Sequence, residues 1–359
     1  MINYYQPSLK PFLGRKKNII PKGIRRYYYL SFEDAFWHLA AKKHIPKRSL
    51  LLFPNFYCMD VLKNVRRHGY SYALYPVDVN FQTDENILMK EIKKNNPSII
   101  VIFHACGITN KLMTKRKWVS ALPKESLIIE DCVHRLVNPS EIKIVKNNHF
   151  IIDSLRKVSP LPGSFLYGKE VDVDFNPPRK KTTIYSLSSR FFYTLFRRIL
   201  EFGFKVKSRR LVSYAHTMIL KLHDDIIGNS FSAHPGLSKN ETKHSYIDFE
   251  KIKKLKKEQV QSYEYNFYPV VSNNNIFTRV QIPESDYSSL HVYPLEFLCK
   301  SKKKLVSYLH HNNIVVWDKF PDSPWSEKQS VLFFPLGFHM NEKKIRYIAE
   351  KLEDYSKLN

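Results

Sequence analysis

The sequence predicts an α/β protein: a large βα domain with a parallel-rich sheet over residues 1–235, and a smaller C-terminal α+β domain over residues 236–359. Three observations predict it. From about residue 31, helix-like stretches alternate with short β-rich runs, as parallel strands joined by crossover helices require. After residue 168 this rhythm gives way to a basic, proline-containing linker and then an aromatic segment. From about residue 236, strands and helices are mixed without the βα order.

The elements follow in order. SFEDAFWHLAAKKH is the first helix, with Ala35, Phe36, Leu39 and Ala40 at helical spacing and Ser31 placed as its cap. SLLLFP (49–54), YALYPVD (72–78), SIIVIFH (98–104), SLIIEDC (126–132) and HFIIDS (149–154) are successive strands. Between them CMDVLKNVRRHG, DENILMKEIKKN and KLMTKRKWVSALP are each long enough for a crossover helix. The stretch 190–210 sets Phe191, Leu195 and Phe202 among Arg197, Arg198 and Lys205, as a basic amphipathic helix does. It suits packing between domains or subunits, or contact with an anionic membrane surface. Beyond 236 come a helix (DFEKIKKLKKEQVQSYEYN), strand-like runs (IFTRVQIP, HVYPLEFL, NIVVWD, VLFFPL) and a terminal helix (NEKKIRYIAEKLEDYSKL).

Composition narrows the function classes. Lys and Arg number 58 against 33 Asp and Glu, a net charge of +25 that favours anionic partners. Cys58, Cys106, Cys132 and Cys299 are scattered, without a CxxC pair, which argues against a disulfide scaffold or structural zinc and for reduced thiols in a cytoplasm. The first residues lack a signal-like apolar core, and no run reaches membrane-spanning length. GxSxG, P-loop and GxGxxG patterns are absent, as is any recognised nucleic-acid motif, so no specific nucleic-acid partner is expected.

Ligands of doubly wound α/β folds gather at the carboxyl ends of the strands. There the sequence offers Asn55, Phe56 and Tyr57, then His104, then Asp131 with His134, then Ser154 with Lys157. An aspartate, an aromatic ring and a lysine at neighbouring strand ends can serve pyridoxal 5'-phosphate: the amine holds the carbonyl carbon, the carboxylate keeps the pyridine nitrogen protonated, and the ring covers one face. Arg156, next to Lys157, would disfavour the ammonium form if both side chains pointed into one region. Cys132 and His134 lack further metal ligands at useful spacing.

LIIEDCVH, SLRKVSPLPGS, PNFYC and FFPLGFHMNEKKIRYIAEKL, in that relation, resemble the DegT/StrS family of sugar aminotransferases, pyridoxal-phosphate enzymes of fold type I. The resemblance spans roughly residues 25–355. It implies that Lys157 carries the cofactor, Asp131 faces the pyridine nitrogen, His134 faces the ring, and Ser154, Tyr57 and the Ser31-Phe32-Glu33 segment complete the cofactor site. It further implies a homodimer that moves an amino group, from a donor such as glutamate, to a nucleotide-linked keto-sugar for surface polysaccharide or another glycoconjugate. The chain departs from the family where a Ser-Gly-Thr or Ser-Gly-Arg pattern opens the first helix, since it has Ser31, Phe32 and Glu33 there. Ser164 replaces a second glycine, Cys58 stands at the usual stacking aromatic, and Gln259, Ser262 and Tyr263 replace an R-x-x-N-Y pattern. These departures support a second reading, an aminotransferase fold kept as a non-catalytic binding or scaffold protein.

Overall fold

The computed structural model describes residues 2–3, 13–115, 117–157, 163–169, 184–227, 238–273, 275–298, 302–318, 323, 325 and 329–358. The short strand β1 (Ile2–Asn3) precedes β2 (Ile24–Tyr29), α1 (Phe32–Lys42), β3 (Leu50–Pro54), α2 (Met59–Arg67), β4 (Ser71–Tyr75), α3 (Glu85–Asn95), β5 (Ile99–Phe103), β6 (Leu127–Cys132), β7 (His149–Asp153) and β8 (Ser164–Lys169). Strands β2 to β8 form one sheet in the order β2-β8-β7-β6-β5-β3-β4. Every pairing is parallel except the two made by β8, which runs against both β2 and β7. All residues of β5 and β7 are buried, as apolar strands covered on both faces must be.

From β3 the chain steps outward to the edge strand β4 and then returns across β3 to β5. The order of strands reverses there, and the carboxyl ends around that reversal are where such folds place ligands.

Four expectations need correction. KLMTKRKWVSALP forms two short 3-10 turns, Lys111–Met113 and Lys117–Ala121, and not a crossover helix. Asn110 caps the first turn, and the Trp118 indole donates back to the Leu112 carbonyl at 2.8 Å, so local side-chain bonds fold the segment on itself. Strands β2 and β8 were not expected; β2 reads IRRYYY, and its arginine pair hides the strand pattern. The third is α8 (Lys302–His311), whose KKKLVSYLHH buries only Leu305 and Leu309. The fourth is α5, below.

After β8 come the helices α4 (Ile184–Lys205) and α5 (Arg209–Ile227), the first as expected from its amphipathic pattern. They form a hairpin with its own small core of Leu200, Val212 and Ala215. Then follow α6 (Ser238–His244), α7 (Phe249–Ser272), β9 (Phe277–Arg279), β10 (Val292–Phe297), α8, β11 (Ile314–Val315), β12 (Val331–Pro335) and α9 (Glu342–Lys357). A second, antiparallel sheet has the order β12-β10-β9, and β11 pairs with β1. Helix α7 packs Phe249 and Ile252 with Tyr28 and Phe165 of the large sheet's antiparallel corner. Further along, Val260, Tyr263, Phe267 and Val270 enter the main core with the small sheet.

Candidate active site

Strand β6 ends in Glu130-Asp131-Cys132, and because side chains alternate along a strand the two carboxyls leave on opposite faces. Asp131 is 1% exposed. Its Oδ2 accepts from the Tyr57 hydroxyl at 2.6 Å and its Oδ1 from the Val133 N–H at 2.9 Å. Burial pushes the Asp131 carboxyl up to about 7, opposed by these two donors and by the positive charge of Lys157.

Tyr57, after β3, lies with its ring between Phe53 and Phe103 at centroid distances of 5.0 and 5.4 Å. Neither Tyr57 nor Asp131 is among the residues lining the neighbouring cleft, and the Tyr57 hydroxyl holds the Asp131 carboxyl. Cys58, beside it, begins α2.

Lys157 lies one strand along, at the end of a single 3-10 turn, Leu155–Lys157, that follows β7. Its N–H donates to the Ser154 carbonyl at 3.3 Å, and its ammonium lies 5.6 Å from the centroid of the Trp317 ring. The side chain of Arg156 and residues 158–162 of the proline-rich turn lie outside the described residues. Ser164 Oγ donates to the Asp153 carbonyl at 2.5 Å, tying β8 to the end of β7.

Lys157 and Ser154 open onto a narrow cleft that is also lined by His134, Arg135, Lys256 and His291. The His134 ring lies 4.7 Å from Phe103 and stacks on His291 at 5.5 Å. Lys256, on α7, is buried and donates to the Leu290 carbonyl at 2.5 Å; burial pushes its ammonium down to about 8. The wall is therefore strongly cationic, with Asp153 as its carboxyl.

Arg135, Lys256, Ser289, His291 and Trp317 escaped the sequence reading because they come together only through tertiary contacts. Arg135 pairs with the 1% exposed side chain of Asp286 at 3.0 Å, and Asp286 also accepts from the Thr109 N–H at 2.8 Å. At Gly107, φ is +96° and a Cβ would stand 2.5 Å from the Ser289 carbonyl oxygen, so glycine alone permits the approach. Gln259, one of the departures, and Tyr263, which keeps the pattern's tyrosine, also have a structural use. Gln259 donates to the Gly337 and Met340 carbonyls at 2.7 and 3.0 Å, and the Tyr263 hydroxyl donates to the Pro335 carbonyl at 2.9 Å, which fixes the turn after β12.

The three residues at the start of α1 are engaged with their own surroundings. Ser31 Oγ accepts from the Asp34 N–H at 3.1 Å and donates to the Asp34 carboxyl at 2.5 Å. Phe32 is packed in the core. Glu33 Oε2 accepts from the Trp37 indole at 3.2 Å and the Asn64 amide at 2.8 Å. Two carboxyls in the first turn already satisfy the helix's positive end, which makes it a poor seat for a phosphate.

On the other face, Glu130 accepts from His104 Nε2 at 2.8 Å and from His149 Nε2 at 3.0 Å. His104 Nδ1 accepts from the Asn110 N–H and His149 Nδ1 from the Val145 N–H, so each ring carries its proton on Nε2. These donors hold the Glu130 carboxyl well below the usual range. His104, Glu130 and Cys132 offer ligand atoms within 4.8 Å of one another, but the first two are already committed to this relay. His104 is thereby a structural residue behind the sheet.

No protein-family profile matches the sequence, and no curated protein sequence matches it. Solved structures do match in shape. A putative sugar aminotransferase of Streptococcus pneumoniae, Spr1654 in its PLP form, superposes with a TM-score of 0.60 at 12% identity, covering 93% of this chain and 87% of its own. PseC of Helicobacter pylori, an aminotransferase of pseudoaminic acid biosynthesis, gives 0.61 at 12%, with 93% and 87% covered. The sugar aminotransferase CalS13 of Micromonospora echinospora gives 0.57 at 11%, with 92% and 87% covered. With its seven-stranded sheet, single antiparallel strand β8 and appended antiparallel sheet, the chain has the fold type I aminotransferase architecture.

Proposed function

We propose that this chain is a pyridoxal-phosphate-dependent aminotransferase that moves an amino group, with glutamate as donor, onto a nucleotide-linked keto-sugar in surface polysaccharide or glycoconjugate biosynthesis. It works as a homodimer in this reading. One observation carries it: Asp131 and Lys157 follow neighbouring parallel strands, β6 and β7, at their carboxyl ends. An amine and a hydrogen-bonded carboxyl at neighbouring strand ends are the groups that the carbonyl and the ring nitrogen of the cofactor would call for. Bound there, the cofactor supplies an electron sink for the carbon bearing the amino group. Tyr57 and the Val133 N–H keep the carboxyl aimed, and Lys157 is the amine that takes up and returns a proton beside it. His134 borders the same space, and Arg135, Lys157 and Lys256 make its wall attractive to the diphosphate of a sugar nucleotide.

The start of α1 is less suited to the cofactor's phosphate, since Phe32 packs in the core and Glu33 and Asp34 occupy the first turn. That observation favours the second reading, a fold retained for binding without catalysis. Adding pyridoxal phosphate to the purified protein, trapping with borohydride and mapping the modified peptide separates them. Label on Lys157, lost in Lys157→Ala, supports the enzyme; a folded protein that takes no label supports the binding protein.

A further inference from the structure

We infer that the outer face of the α4–α5 hairpin docks on an anionic phospholipid membrane. The inference is independent of the aminotransferase reading and uses none of its residues. Phe191, Phe192, Leu195, Phe202, Val206 and Tyr214 are all exposed, Phe191 at 65% and Phe202 at 57%. At about 3.6 residues per turn, Phe191, Leu195, Phe202 and Val206 fall within roughly 60° of arc, one stripe along a helix about 33 Å long. Leu200, on the opposite side, is 1% exposed and packs on Val212 and Ala215, so the hairpin's own core is satisfied without the stripe. Gly203 allows the two helices to approach there, since a Cβ would already stand 3.1 Å from Leu211 and Val212.

Charge selects the occupant. Between residues 191 and 210 the sequence has Arg197, Arg198, Lys205, Lys207, Arg209 and Arg210 against the single acid Glu201. Arg198 and Lys205, both exposed, lie along one edge of that stripe. An exposed aromatic stripe bordered by cations suits a helix lying in the headgroup layer, its rings reaching about 5–10 Å toward the acyl chains and its cations meeting lipid phosphates. A two-fold contact between copies of this face would set Arg198 and Lys205 in a like-charged interface, which disfavours a second copy. Among the described residues no helix is long and apolar enough to cross a membrane, so the hairpin lies on the surface.

The test is co-sedimentation of the full chain with phosphatidylcholine vesicles containing about one-third phosphatidylglycerol, against phosphatidylcholine alone. The expected result is binding to the anionic vesicles only, weakened by added salt. The pair Phe191→Ser and Phe202→Ser lowers the partition about tenfold or more, and Arg198→Glu with Lys205→Glu does the same. Both pairs alter exposed positions, and unchanged thermal unfolding shows that they still fold. Failure of the parent chain to bind anionic vesicles, or equal binding to neutral ones, overturns the inference. So does self-association in analytical ultracentrifugation that the phenylalanine pair abolishes, which assigns the stripe to a second copy.

Discussion

On the β6 side of the site, polar groups reach across long stretches of chain: Tyr57 to Asp131, Arg135 to Asp286, Lys256 to the Leu290 carbonyl. On the α1 side, Ser31 closes on Asp34 and Glu33 on Trp37, each within a single turn of helix, with Asn64 beyond them. The first shoulder is held by tertiary contacts and leaves a cationic cleft open. The second is self-contained and offers an incoming anion little. One scaffold thus carries an open cationic shoulder and another closed on its own side chains, so superposition alone is a poor guide to activity.

The largest test of that contrast is Asp286→Ala. It leaves Arg135 and Thr109 without their buried acceptor and should cost about 3 kcal/mol in urea unfolding, near the low end for a broken buried pair because Arg135 is 25% exposed. Tyr57→Phe comes next. Losing the hydroxyl should cost about 1–2 kcal/mol and raise the Asp131 carboxyl further, read as a shift in the pH dependence of stability.

That pH dependence is itself a prediction. Burial pushes the Asp131 and Asp153 carboxyls up to about 7, from about 3.8 for an exposed aspartate. Between those values the folded state binds more protons than the unfolded one, so the stability these groups contribute is present at low pH and lost as pH rises through about 7. Thermal unfolding across that window should show the decline. Asp153→Asn, which keeps an acceptor for the Phe165 N–H, should flatten it. The smallest effect is expected at Glu33→Gln: stability should change by less than about 1 kcal/mol. Pyridoxal phosphate, titrated by absorbance, should bind about two- to fivefold tighter once one carboxylate leaves the first turn.

The parallel strands were legible because SLLLFP, SIIVIFH and SLIIEDC are apolar runs bounded by turn residues, a pattern that burial on both faces imposes. Strand β2 was hidden because Arg25 and Arg26 interrupt it, and β8 because it follows directly on the proline-rich turn. Asp131 and Lys157 were visible as residues following apolar strands. Arg135 was not, since its partner is 151 positions away and local pattern says nothing about such a pair. Tyr57 is visible in the sequence as an aromatic after β3, but its bond to Asp131 depends on how Phe53 and Phe103 pack around it, which local pattern does not carry. At α1 the sequence already placed a bulky ring and an acid at the expected phosphate seat, and the geometry shows them bonded and packed.

Helix α7, about 36 Å long, is seated at one end in the corner formed by β2 and β8 and at the other in the core behind the small sheet. Lys256 lies between those seats and faces the cleft. One helix, packed at both ends, therefore holds Lys256 against the cleft, whereas Lys157 reaches the same cleft from a short turn after β7.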